Sequence, residues 1–116
     1  MKIILTILMT AVLLPGQENT ERKPDRVISI AAERFTFNPS RITVKQGELV
    51  EFVLTSDDTD HGFRIVGTDI NVAIPKRGKG VATVTFVPPQ AGKYVFECSK
   101  LCGAGHSFMR GMLIAE

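Results

Sequence analysis

From Val27 onward the apolar residues arrive in short runs rich in Val, Ile, Thr and Phe, and Gly, Pro, Asn or Asp closes each run. Alternation is clearest in Val81-Ala-Thr-Val-Thr-Phe86 and Tyr94-Val-Phe96, where one face is more apolar than the other. The pattern predicts strands at Val27 to Ala32, Arg41 to Val44, Leu49 to Thr55, Gly62 to Val66, Asn71 to Ile74, Gly80 to Val87, Gly92 to Glu97 and Gly111 to Ala115. No stretch beyond the first fourteen residues keeps a 3.6-residue apolar period, which excludes a helical bundle. About eight short strands separated by turns imply an all-β sandwich or closed Greek-key barrel. Such a scaffold carries function in loops gathered at one end.

The N-terminus breaks the pattern. Lys2 precedes a mostly apolar run from Ile3 to Leu14, far short of the roughly 20 residues that cross a bilayer. Residues 1–16 therefore read as a signal peptide or, since no Ala-x-Ala precedes Pro15-Gly16, as an uncleaved N-terminal membrane anchor. Residues 17–26 are polar and charged with Pro24 and read as a flexible tether; residues 27–116 form the folded domain. The expected location is periplasmic, or otherwise extracytoplasmic. At 116 residues and 44% hydrophobic content there is room for one domain with one core. A formal charge of +2 is too balanced for a nucleic-acid binder.

The candidate chemistry is concentrated. The chain has 2 cysteines and 2 histidines, and three of these residues fall in Cys98-Ser-Lys-Leu-Cys102-Gly-Ala-Gly-His106-Ser-Phe-Met109. Thiolate, imidazole and thioether are soft donors that select copper over oxygen-loving ions. His61 lies in a second loop, Asp57-Asp-Thr-Asp-His61-Gly-Phe. Read from the residues, three states stay open. An exported protein with two cysteines commonly joins them in a disulfide. One cysteine with His61, His106 and Met109 suffices for a mononuclear blue-copper site. A binuclear site uses both cysteines, whereas the mononuclear one leaves a thiol idle beside copper, an oxidation hazard. Met112 reads as packing in the last strand, and Asp57, Asp58 and Asp60 as a solvated turn or an acidic docking patch for a basic cytochrome.

The fragment from Glu33-Arg-Phe-Thr-Phe-Asn-Pro to Gly47, the strand to Thr55, His61-Gly-Phe and Gly92-Lys-Tyr-Val-Phe-Glu-Cys98 resemble the cupredoxin family. The loop resembles one branch of it, the binuclear copper A domain of haem-copper oxidase subunit II and nitrous oxide reductase, with its Cys-x3-Cys-x3-His-x2-Met pattern and upstream histidine. The resemblance implies two copper ions bridged by Cys98 and Cys102, with His61 on one ion and His106 on the other. It implies Met109 as a weak axial ligand on the ion carrying His61, and the backbone carbonyl of Lys100 as the remaining axial ligand. Many oxidase subunits have Glu at that position and hold a magnesium ion with it at the subunit I interface; lysine cannot. Trp is also absent, although oxidase subunits usually admit electrons through a Trp-containing patch. Together with the short leader and the lack of a second membrane span, these departures favour a separate exported carrier over an ordinary subunit II. The expected partners are a c-type cytochrome or other redox protein and, alternatively, a haem-copper oxidase subunit I. No substrate is expected to be transformed within the chain, since no general base stands near a pocket motif. Copper delivery through Cys98, Cys102 and Met109 is the other binding reading.

Overall fold

The computed structural model describes residues 22–116. The expected leader, and residues 17–21 of the expected tether, lie outside them. Nine strands follow in chain order: β1 Arg26–Glu33, β2 Thr36–Asn38, β3 Arg41–Val44, β4 Val50–Ser56, β5 His61–Ile65, β6 Asn71–Ile74, β7 Ala82–Phe86, β8 Gly92–Glu97 and β9 Arg110–Ala115. They form two sheets, ordered β2-β1-β4-β7 and β3-β9-β8-β5-β6. The β1–β4 and β3–β9 pairs are parallel and the others antiparallel. Among the described residues no helix is long and apolar enough to cross a membrane.

The period-two pattern explains the layering. In β4, Val50, Phe52, Leu54 and Ser56 point inward and are buried while Glu51, Val53 and Thr55 between them are half-buried. In β7 the threonines Thr83 and Thr85 face solvent. Between the sheets Phe63 packs against Phe37, Phe52 and Phe96 with ring centroids 6.0, 5.4 and 5.3 Å apart. These separations lie in the range where aromatic pairs attract beyond simple burial.

All eight expected strands are present, three of them with the expected ends: β3, β6 and β8. The run from Gly80 to Val87 is trimmed to Ala82–Phe86, because Gly80 takes φ 124°, outside the strand region, and Val87 leads into Pro88. β2 was not expected. Three residues are too few to show alternation, and Phe37 is buried there because the pairing Ala32↔Phe37 with β1 turns its ring onto Phe63 and Phe96. The segment before β1 is held rather than free: Asp25 N–H donates to the Leu49 carbonyl at 2.8 Å, and Leu49 N–H donates to the Asp25 carboxylate at 2.7 Å.

Register brings the ligand-bearing loops to one pole. The parallel pair Ala32↔Ser56 ends β1 and β4 together, His61↔Ile74 puts the start of β5 beside the end of β6, and Glu97↔Arg110 opens the β8–β9 loop at the same end. Truncating the central aromatic tests this account of the core. Phe63→Ala should cost about 3–5 kcal/mol, read as a lowered denaturant midpoint with an unchanged slope; a loss within experimental error would place the stabilising contacts elsewhere.

Candidate metal centre

His61 is the first residue of β5, not the loop residue expected, and its ring is fully buried. A buried imidazole needs partners for both nitrogens. Nε2 lies 2.6 Å from Asp58 Oδ1, and Nδ1 faces Cys98 Sγ at 3.9 Å. The Asp58 carboxylate is itself fixed, accepting from Arg34 N–H at 2.8 Å and Thr59 N–H at 2.7 Å. Burial pushes the Asp58 carboxyl upward, but the Arg34 amide, the imidazole and the Thr59 amide outweigh it and hold the group below its usual range. An ionised carboxylate behind a histidine fixes the tautomer and orientation of the ring, as behind metal-ligating histidines.

The β8–β9 loop closes on itself through the Cys98 N–H, which donates to the Met109 carbonyl at 3.0 Å. Both cysteines and Met109 are buried. Cys98 Sγ lies 3.7 Å from Cys102 Sγ and 3.0 Å from the Lys100 carbonyl oxygen. Cys102 Sγ lies 3.7 Å from His106 Nδ1 and 3.8 Å from Met109 Sδ. The sulfurs are free thiols, well beyond the ~2.05 Å of a disulfide bond. One donor atom each from His61, Cys98 and Cys102 falls within 4.8 Å of the others. All five expected side chains and the Lys100 carbonyl therefore converge on the sulfur pair. The donor set, two thiols, two imidazoles and a thioether, fits copper and offers no oxygen-rich seat for a hard cation.

Close packing seats the loop. An added Cβ on Gly62 would lie 2.1 Å from Ser99 Oγ, and one on Gly105 would lie 2.3 Å from the Phe35 ring. Arg34 Nε donates to the Cys102 carbonyl at 2.9 Å. The β1–β2 turn thus grips the ligand loop from beside, through Arg34 and Phe35. Neither residue was assigned a role from sequence, and neither was Asp58 as the partner of His61; the one available signal was the glycine at each point of close approach. The three aspartates that read as a solvated turn or a docking patch are mostly engaged locally. Asp58 holds His61, and Asp60 accepts from Lys76 N–H at 2.8 Å and Lys100 Nζ at 3.4 Å. Met112 is half-buried in β9.

Burial raises the Cys102 thiol to about 11, helped by its bond to Cys98 and by that neighbour's charge. The thiol therefore holds its proton at neutral pH, and a metal must displace it. Thiolate absorbance of the copper-free chain should still be rising near pH 11. Metal affinity should rise about tenfold per unit increase in pH for each such proton released. An affinity independent of pH between 6 and 8 would contradict the protonated thiol.

Comparison with known proteins agrees with this geometry. The cupredoxin-like domain family matches residues 3–115. The chain is 34% identical over 103 residues to cytochrome c oxidase subunit 2 of Thermus thermophilus, covering 88% of this chain and 75% of that one. It spans 60% of a second Thermus thermophilus subunit 2 at the same identity. Nitrous-oxide reductase of Stutzerimonas stutzeri is 31% identical over 84 residues, 69% of this chain and 13% of that one. Among solved structures, a heme-copper terminal oxidase dimer matches with TM-score 0.72 and 28% identity over 92% of this chain and 76% of that one. The periplasmic domain of subunit II of cytochrome oxidase of Bradyrhizobium japonicum matches in fold, with TM-score 0.73 and 15% identity over 82% of this chain and 86% of that one. The chain belongs to the cupredoxin-like family, as a copper A-type domain like that of cytochrome c oxidase subunit II.

Proposed function

We propose that this domain transfers single electrons through a binuclear copper A centre held by His61, Cys98, Cys102, His106, Met109 and the Lys100 carbonyl. The observation that carries the reading is the pair of buried thiols 3.7 Å apart, each facing an imidazole Nδ1. A mononuclear site would leave one of those thiols without a task. A pair of copper ions held by these residues would share one unpaired electron and so spread the charge change on reduction over both.

What the chain itself contributes is position and exclusion of water. Asp58 holds His61 from behind, the Cys98–Met109 backbone bond closes the loop, and Arg34 pins the carbonyl of Cys102. Ligands already in place before the electron arrives do not have to move when it does, which keeps reorganisation small. His106 is half-buried and Met109 fully buried, so the imidazole is the ligand nearest solvent in the second half of the loop.

The chain works as an electron carrier and not as an enzyme by itself. Its partners are a c-type cytochrome or another redox protein, and it acts outside the cytoplasm, exported by its apolar leader. The Lys100 ammonium is paired with Asp60 at 3.4 Å, so its side chain has no part in holding a magnesium ion. That favours a separate carrier over a subunit docked through a shared magnesium ion. Recovery of a stable stoichiometric complex with a haem-copper subunit I from native membranes would replace the separate-carrier reading.

The reconstituted chain should hold two coppers and show an EPR pattern with the electron shared by both nuclei; confinement to one nucleus favours the mononuclear site. Cys98→Ser or Cys102→Ser should abolish the binuclear spectrum, Lys100→Ala should leave it nearly unchanged, and Met109→Leu should keep both coppers and shift the potential. Asp58→Asn should weaken copper binding about 10–100-fold, measured by competition with a chelator.

A further inference from the structure

We propose that the redox partner of this domain is an acidic protein, seated by a carboxylate in a cationic cleft that opens beside the metal ligands. This rests on the electron-transfer reading and adds the chemistry of the partner. The cleft, about 250 Å³, is lined by Arg64, Glu97, Arg110, Cys98 and His106 together with two serines. Arg64, Glu97 and Arg110 are cross-strand neighbours on β5, β8 and β9, by the registers Arg64↔Glu97 and Glu97↔Arg110. They form a row next to both ends of the ligand loop, since Cys98 follows Glu97 and Met109 precedes Arg110.

Two guanidiniums share one carboxylate. Glu97 Oε1 accepts from Arg64, with Nε at 2.7 Å, and Oε2 pairs with Arg110 Nε at 3.4 Å. Glu97 is only 15% exposed, against 50% for Arg64 and 61% for Arg110. The acid is enclosed while both bases reach solvent, leaving one net positive charge and unspent N–H donors at the mouth. Guanidinium forks of this kind suit carboxylates. Arg34, Lys76, Arg77 and Lys79 are also exposed at this pole. Of the acids there, Asp58 is bonded to His61 and Asp60 to Lys100, while Glu33 and Asp57 stay exposed. Beside the charges stand Leu101 and Phe108, both in the ligand loop and 80% and 81% exposed, the most exposed large apolar side chains among the described residues. Apolar contacts ringed by charge are the anatomy of a brief protein encounter rather than of a solvated face.

Asp57, Asp58 and Asp60 read from sequence as a solvated turn or as an acidic docking patch for a basic cytochrome. With Asp58 turned onto His61 and Asp60 paired with Lys100, Asp57 alone of the three is exposed, and exposed cations outnumber exposed acids at this pole.

The test uses the copper-loaded full chain with two haem proteins as probes, the acidic haem domain of cytochrome b5 and a basic mitochondrial-type cytochrome c. Electron transfer is followed by stopped flow, and binding of the oxidised probes by calorimetry. The acidic probe should bind more tightly and react faster. Its rate should fall roughly tenfold as ionic strength rises from about 0.01 to about 0.15 M, where the screening length shrinks from about 30 to about 8 Å. Arg110→Glu should lower the low-salt rate about tenfold and Arg110→Gln by less, with the copper spectrum unchanged. Lys45→Glu makes the same change of net charge in the turn after β3, at the opposite pole, and should leave the rate as it was. Preference for the basic probe, a rate that rises with salt, or equal effects of Arg110→Glu and Lys45→Glu would overturn the acidic partner while leaving electron transfer standing. Failure to exchange electrons with either probe would overturn both.

Discussion

Holding two cysteine sulfurs 3.7 Å apart inside a folded domain is the constraint from which the rest of this structure follows. Neighbouring thiols gain little from one another, and burial keeps Cys102 protonated. The arrangement is therefore sustained from outside. One backbone bond closes the loop at its neck, the Arg34 side chain holds the Cys102 carbonyl, and Phe35 fills the space that Gly103 and Gly105 leave open. None of these contacts is with a metal. The arrangement of the thiols is thus held by packing and hydrogen bonds of the chain itself.

That preparation depends on where the strands end. Four loops meet at the metal pole because two parallel pairings carry the chain across the sandwich, so that β1 and β4 terminate side by side and β9 returns next to β3. The aromatic group Phe37, Phe52, Phe63 and Phe96 fixes the spacing of the sheets directly below. Phe96 stands two residues before Cys98, and Phe63 two residues after His61. On alternating strands, residues two apart share a face. His61 and Cys98 therefore project inward by the same register that buries those phenylalanines.

This register explains why so much of the fold and site was legible in the sequence. Alternation and turn residues located eight strands, and the spacing of Cys98, Cys102, His106 and Met109 carried the resemblance to copper A domains. Three things were hidden. β2 is too short to show a period. Arg34 and Phe35 act on a loop almost 70 residues away, a pairing no local pattern records. Asp58 looked like one of three equivalent surface acids, and only the fold of the Ser56–Asp60 turn, where Asp58 N–H donates to Ser56 Oγ at 3.1 Å, aims that one at the imidazole.

The fate of those three aspartates shows how the same charge carries different meaning by position. Asp58 is enclosed by three donors and serves the ligand; Asp60 steadies the neighbouring Pro75–Gly80 turn and Lys100; Asp57 alone remains exposed. A count of acids therefore overstates how many a partner can touch at this pole, because Asp58 is turned inward onto the Arg34 amide, the Thr59 amide and the His61 ring, and Asp60 is paired with the Lys100 ammonium. Across β5, β8 and β9 the imbalance runs the other way, with one enclosed glutamate between two exposed arginines. The field that a partner meets is set by which member of each pair reaches solvent, and here that member is repeatedly the cation.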